Sequence, residues 1–187
     1  GTIHARLDFH GARAHSARPW MGVNAVHRAA PLVARLAAHE APTVTVDGLD
    51  YRESLQIVRI EAGIANNVVP DRCSVVVNRR YAPACTLEEA LVRTRAMFED
   101  ADEVEIVSAS AAAAPNLTHP LIGELVGTEG LGVRPKLGWT DVARFTQHGI
   151  PAVNFGPGDP ELAHTADERV ERSDLEQCLR VLSKFVG

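Results

Sequence analysis

The sequence is poor in several signals that would fix a function class at once. It holds three cysteines, Cys73, Cys85 and Cys178, an odd number with no CxxC pair. That excludes a disulfide framework and a zinc knuckle, and the thiols read as reduced, in a cytoplasmic protein. No apolar run approaches the ~20 residues that cross a bilayer. Gly1-Thr2-Ile3-His4 carries no basic-then-apolar signal segment. Basic residues are in deficit, 19 Lys and Arg against 24 Asp and Glu for a net charge of −5, which gives no support to a nucleic-acid surface. The glycines of 127–132 form neither GxGxxG nor GxxxxGK[ST], so phosphate cradling is unsupported. Ser16 has His15 beside it but no GxSxG elbow, which weakens a serine hydrolase. HExxH is absent, and so is an initial Met, which leads us to expect that the true start lies upstream.

What is present is an ordinary globular composition, 45% hydrophobic and 23% charged over 187 residues, enough for one large domain or two small ones. Thr2 to His10 alternates, with Ile3, Ala5, Leu7 and Phe9 on one side, as a half-buried strand does. Gly11 to Met21 reads as a loop. Asn24 caps a helix with Val26, Ala29, Ala30, Val33 and Leu36-Ala37 inward, and Pro42 ends its continuation. Ala41 to Arg52 reads as a polar connection with a turn at Asp47-Gly48. Leu55 to Ala62 and Arg72 to Tyr81 read as strands. Thr86-Leu87-Glu88-Glu89 is a capping box opening a helix to about Glu99, with Leu87, Ala90, Leu91 and Met97-Phe98 inward. Glu103 to Ala109 is a further strand. The order β-α-β-β-α-β predicts an α+β domain over 1–110: a four-stranded antiparallel sheet with two helices on one face, the split βαβ arrangement.

Beyond the alanine-rich 109–115 the order changes. Helices are expected at His119 to Thr128 and Thr140 to His148, the second stopped by Gly149. Strands are expected at Val133 to Leu137 and Pro151 to Phe155. A long loop spans Gly156 to Arg172, and loops of that length are usually functional. A second capping box at Ser173-Asp174-Leu175-Glu176 opens the last helix. This tail, 111–187, has too few strands for its own sheet and reads as the C-terminal part of a larger α/β domain.

Of eight histidines, His4 and His10 sit on the polar side of a strand and His27 and His39 on a helix, where solvated surface residues are the default. His119 reads as a helix cap or surface residue. His15 and His164 lie in Gly/Pro-bearing loops, where function concentrates. His15 is either an ordinary loop residue or a donor to a developing oxyanion. His164 is either bonded to a backbone carbonyl or a zinc ligand, and one histidine cannot make a site that needs three or four ligands. Arg79-Arg80 at a strand end is either a solvated edge or a fork for a carboxylate.

Taken in order, five segments resemble one family. They are Gly11 to Trp20 with its His-Ser-Ala-Arg-Pro core and the following Gly22-Val23-Asn24-Ala25; Ala62-Gly63 through Asn67-Val68-Val69-Pro70-Asp71; Asn78-Arg79-Arg80-Tyr81; Thr140 to Phe145; and Gly156-Pro157-Gly158 through His164-Thr165-Ala166-Asp167-Glu168. The chain resembles the dinuclear zinc amidohydrolases, which include succinyl-diaminopimelate desuccinylases, acetylornithine deacetylases, aminoacylases and carboxypeptidase G, and it looks most like the desuccinylase branch. Trp139 and Asp141 depart from the family pattern.

The resemblance implies a lid, or dimerisation, domain over 1–110 that pairs with its copy in a homodimer, and the C-terminal segment of a zinc-dependent catalytic domain over 111–187. It implies that His15 reaches across the dimer to polarise the scissile carbonyl. Asn67, Arg80 and Thr140 would hold the substrate, with Arg80 facing a carboxylate, and His164 would ligate zinc. A complete active site would hold two Zn2+. Its other ligands and the general-base glutamate precede the lid and have no match here, so the chain is expected to be a C-terminal fragment, by truncation or proteolysis, that binds zinc poorly and is inactive alone. The implied substrate is a small N-acyl amino acid, N-succinyl-LL-diaminopimelate, cleaved to succinate and LL-diaminopimelate for lysine and diaminopimelate biosynthesis. A sister amidohydrolase with another acyl substrate and a non-catalytic dimerisation module are the alternatives; no membrane or nucleic-acid partner is implied.

Overall fold

Alternation makes β1, Thr2–His10. Ile3, Ala5, Leu7 and Phe9 are each at most 1% exposed, and the intervening polar residues face the opposite side, as a period of two requires. In the computed structural model, which describes residues 1–128 and 131–187, β1 is a central strand. It pairs antiparallel with β5 (Arg72–Arg80) and with β6 (Glu103–Ser110), and β5 pairs antiparallel with β4 (Ser54–Ala62). The sheet order is β4-β5-β1-β6. Helices α1 (Ala25–Ala37) and α2 (Leu87–Ala96) cover one face. This is the α+β sandwich that the element order predicts. Glu129 and Gly130, in the glycine-rich stretch, lie outside the described residues.

The chain divides into two compact units, Gly1–Ala114 with Leu137–Trp139, and Pro115–Lys136 with Thr140–Gly187. In the first, Asn24 caps α1 by accepting from the amides of Val26 and His27. The buried stripe of α1 is Ala25, Ala29, Leu32 and Leu36, spaced 4, 3 and 4 along one helical face. Val26 and Ala30 therefore face outward, contrary to the expected stripe, and Leu32 takes the inward place. The capping box of α2 forms in full, Thr86 Oγ1 accepting from Glu89 N and Glu89 accepting from Thr86 N at 2.8 Å. Thr94, missed in the sequence, is buried with Ala90 and Phe98.

The supposed polar connection is a hairpin, β2 (Thr43–Val46) with β3 (Leu49–Arg52). Asp47 and Gly48 both take positive φ, 49° and 77°. That is the mirror-image two-residue turn whose twist suits flanking strands, so the turn signal had marked a pair of strands.

The second unit contains α3 (Pro120–Gly127), α4 (Val142–Gln147) and α5 (Arg172–Val186). Among the described residues the expected strands 133–137 and 151–155 do not form. An extended segment becomes a strand only when a neighbour completes its ladder of hydrogen bonds, and no such partner occurs among the described residues. The second capping box is also absent. Helix α5 begins two residues early, at Arg172, which places Ser173 inside it, and Arg172 Nε pairs with Glu176 at 2.8 Å instead.

The start of α1, the end of β1 and the start of β6 are tied by Asp102. Its carboxylate accepts from Arg28 at 2.6 and 2.8 Å and from the backbone amide of His10 at 2.6 Å. Arg28 first, and the His10 amide second, hold the Asp102 carboxyl below its ordinary 3.8. A carboxyl depressed in the native state contributes stability that is present above about pH 4 and lost as pH falls through the native value. Asp102→Asn should therefore flatten the acid limb of stability. Chemical unfolding at pH 6, 4 and 3 checks this, and an unchanged slope would contradict it.

Candidate functional site

The loop after β1 is built on close backbone contacts. Gly11 N donates to Asp71 O at 2.8 Å, and Ala12 and Val23 exchange two bonds, at 2.8 and 2.9 Å. A Cβ at Gly11 would stand 2.1 Å from Val23 O, so only glycine lets these strands approach. His15 then bridges antiparallel to Val68, with Ser16 N donating to Asn67 O at 2.9 Å and Val69 N donating to Ala14 O at 2.8 Å. Arg13 Nε pairs with Asp71 at 2.8 Å, and that hydrogen bond holds the Asp71 carboxyl below the usual carboxylate range. The loop is thus braced by its partner segment at three points, and His15 and Asn67 are brought side by side on an exposed surface.

The imidazole of His15 has a defined polarity. Its Nδ1 accepts from the Ala17 amide at 3.0 Å, so in the neutral ring the proton resides on Nε2. The outward nitrogen is a hydrogen-bond donor.

Arg80 lies elsewhere. It is the last residue of β5, whereas the His15 loop abuts the start of that strand at Asp71 and Arg72. Nine residues of strand put roughly 26 Å between the two ends. Within one chain, Arg80 and His15 stand at opposite ends of the sheet. The arginine dipeptide is also divided between faces. Arg79 is 7% exposed, packs toward α2 and donates to Ala90 O at 3.1 Å and Thr94 Oγ1 at 2.8 Å. It is a structural residue, not half of a solvated pair. Arg80 faces the open side, where its Nε donates to Asn78 Oδ1 at 3.1 Å. Among the described residues no carboxylate pairs with Arg80, and its terminal nitrogens hold no partner.

In the second unit, Thr140 Oγ1 accepts from Asn154 Nδ2 at 3.1 Å, a partner that sequence reasoning did not identify. Trp139, in the first unit, donates from its indole to Ala111 O at 3.2 Å. His164 is exposed and takes φ 66°, a left-handed conformation that costs a non-glycine residue of order 1 kcal/mol and tends to mark functional loops. Its backbone amide donates to Glu168 at 2.9 Å, which pins the turn. Among the described residues no three His, Cys, Asp or Glu side chains converge on a metal position. A zinc site needs three or four protein ligands, so His164 fits such a site only as one member of a larger set.

The comparisons with known proteins agree on one family. The model of the M20 peptidase dimerisation domain matches residues 1–105. A putative succinyl-diaminopimelate desuccinylase of Mycobacterium tuberculosis is 45% identical over the whole chain, which covers 53% of that protein. A succinyl-diaminopimelate desuccinylase of Corynebacterium glutamicum is 39% identical over the whole chain and 52% of its own length. The chain thus spans about half the length of the curated relatives it matches. Among solved structures, the M20 family metallo-carboxypeptidase Sso-CP2 of Sulfolobus solfataricus superposes with a TM-score of 0.71 at 12% identity, over all of this chain and 57% of that one, a likeness of fold.

Proposed function

Because the chain belongs to the M20 peptidase dimerisation-domain family and is homologous to desuccinylases within it, we propose that it is part of a zinc-dependent amidohydrolase that removes the succinyl group from N-succinyl-LL-diaminopimelate. The observation that carries the reading is the braced His15 loop, with a donor fixed at Nε2 and Asn67 alongside. A donor held in place before reaction stabilises the oxygen of an amide as it becomes an oxyanion, without reorganisation cost. Asn67 offers a side-chain amide to the same ligand. Arg80 offers a planar fork suited to a carboxylate, and the succinyl group carries one. Thr140 is a hydroxyl contact held by Asn154, and His164 is one metal ligand. A bound metal of this class supplies a water of lowered pKa as nucleophile.

The separation of Arg80 from His15 supports a composite site. A single active site uses both residues only if they come from two chains, so the reading includes a two-fold homodimer through the first unit in which each His15 serves the other protomer. Both sheet edges, β4 and β6, have a neighbour on one side only, and an open edge is a template for a second copy.

The test is assay of the purified 187-residue chain with added zinc. It should release no succinate from N-succinyl-LL-diaminopimelate and should sediment as a dimer even with a chelator present. The complete enzyme should hydrolyse that substrate in preference to N-acetylornithine. Succinate release by the chain alone, or preference for another acyl group by the complete enzyme, would overturn the respective claim.

A further inference from the structure

The open face of the sheet carries, next to Arg80, a row of side chains to which the family reading gives no role. His4 on β1 stands opposite Asn78 on β5 and Ser108 on β6, so all three project from the side away from the helices. His4 Nδ1 lies 3.0 Å from Ser108 Oγ, the Asn78 side-chain nitrogen contacts His4 Nε2, and Asn78 Oδ1 accepts from Arg80 Nε at 3.1 Å. Asn78 itself is 9% exposed. Sequence alone made His4 an ordinary surface histidine, whereas the register makes it the hub of a three-strand relay.

The polarity of this relay follows from one fact. A guanidinium donates and never accepts. The atom of Asn78 facing Arg80 is therefore its oxygen, and the atom facing His4 is its NH2. His4 Nε2 then has to be the unprotonated acceptor, and the His4 proton sits on Nδ1, donated to Ser108 Oγ. His4 is held in the tautomer opposite to that of His15. Each step fixes the next: Ser108 and Asn78 orient the ring, the ring fixes which way the Asn78 amide points, and the amide oxygen fixes the plane of the guanidinium through Nε. The terminal nitrogens of Arg80 are left free to form the two parallel bonds a carboxylate accepts.

We propose that His4 is a positioning residue for Arg80, acting through Asn78 to hold the guanidinium fork ready for the carboxylate end of an acyl substrate. The proposal rests on the reading of Arg80 as a carboxylate-binding side chain. A polar ladder that served only to pair strands would stabilise the sheet and leave the Arg80 fork indifferent to His4.

The experiment uses the 187-residue chain with 15N-labelled histidine and arginine. Long-range 1H–15N correlation at neutral pH should find His4 with its proton on Nδ1 and His15 with its proton on Nε2. Titration with succinate should shift the Arg80 Nε–H resonance. His4→Phe should weaken succinate binding at Arg80 by about tenfold, the ratio that one hydrogen bond of ordinary net strength supplies. His4→Gln, whose carbonyl oxygen accepts near the place of Nε2, should restore it. A His4 proton on Nε2, or a His4→Phe chain that binds succinate as wild type does, would overturn the relay. The opposed tautomers together with an Arg80 signal that succinate does not move would overturn the carboxylate reading of Arg80 and leave the relay as strand pairing.

Discussion

In the complete enzyme, His15→Ala is expected to lower kcat by about 10²–10³-fold while KM changes little, the loss typical of removing one preorganised oxyanion donor. Folding should be untouched. The ring is exposed, its Nδ1 bond to the Ala17 amide lies within a surface turn, and the bridge to Val68 is made by backbone groups that alanine keeps. Because His15 and Arg80 stand at opposite ends of one sheet, the prediction has a sharper form. His15→Ala and Arg80→Ala enzymes, each nearly inactive, should regain activity when their subunits are exchanged. A mixed two-fold dimer joins the intact His15 of one chain to the intact Arg80 of the other in one of its two sites. Random mixing should restore about a quarter of wild-type sites. Steady-state kinetics before and after mixing measures both effects. Recovery absent under conditions where subunits demonstrably exchange would refute a site shared between chains.

The largest stability effect is expected at Phe98. It follows the last turn of α2, is fully buried, and packs in the same cluster as Leu7, Phe9, Leu32 and Val75. Truncating such a ring removes transfer free energy and leaves a cavity, together about 3–5 kcal/mol, against a typical total of about 5–15 kcal/mol. Phe98→Ala should leave the first unit largely unfolded at moderate denaturant concentrations that wild type withstands. Denaturant titration followed by near-UV signals reads the midpoint, and a loss below about 1 kcal/mol would show that the cluster does not depend on this ring. The nearby Val92→Ala, at a side chain 69% exposed, is the control expected to change little.

Much of the first unit was legible because its signals are local and repetitive. The alternation of β1, the Asn24 cap and the Thr86-Glu89 box each name a conformation within a few residues, and each forms as read. Errors arose where a choice depends on partners distant in sequence. Val26 and Ala30 are apolar and helically spaced, but the sheet meets the face that carries Leu32. The segments 133–137 and 151–155 have strand composition and no neighbour to pair with among the described residues. The site shows the same division. His15 was marked by its loop and His164 by its place after an apolar segment. The opposition of Arg79 and Arg80 across the sheet, the pairing of Thr140 with Asn154 and the relay from His4 to Arg80 come from register and contact, which no short window of sequence displays.

The split of Arg79 and Arg80 between two faces also determines which genetic changes this strand can survive. Substitution at either position is a local event, whereas inserting or deleting one residue within β5 ahead of them would turn both side chains over together. The guanidinium that bonds Ala90 and Thr94 under α2 would swing into solvent, and that of Arg80, proposed above as a carboxylate fork, would be driven into the core. The packing under α2 and the proposed carboxylate contact would be lost in the same step, so along this strand the reading frame of the pleat constrains both at once.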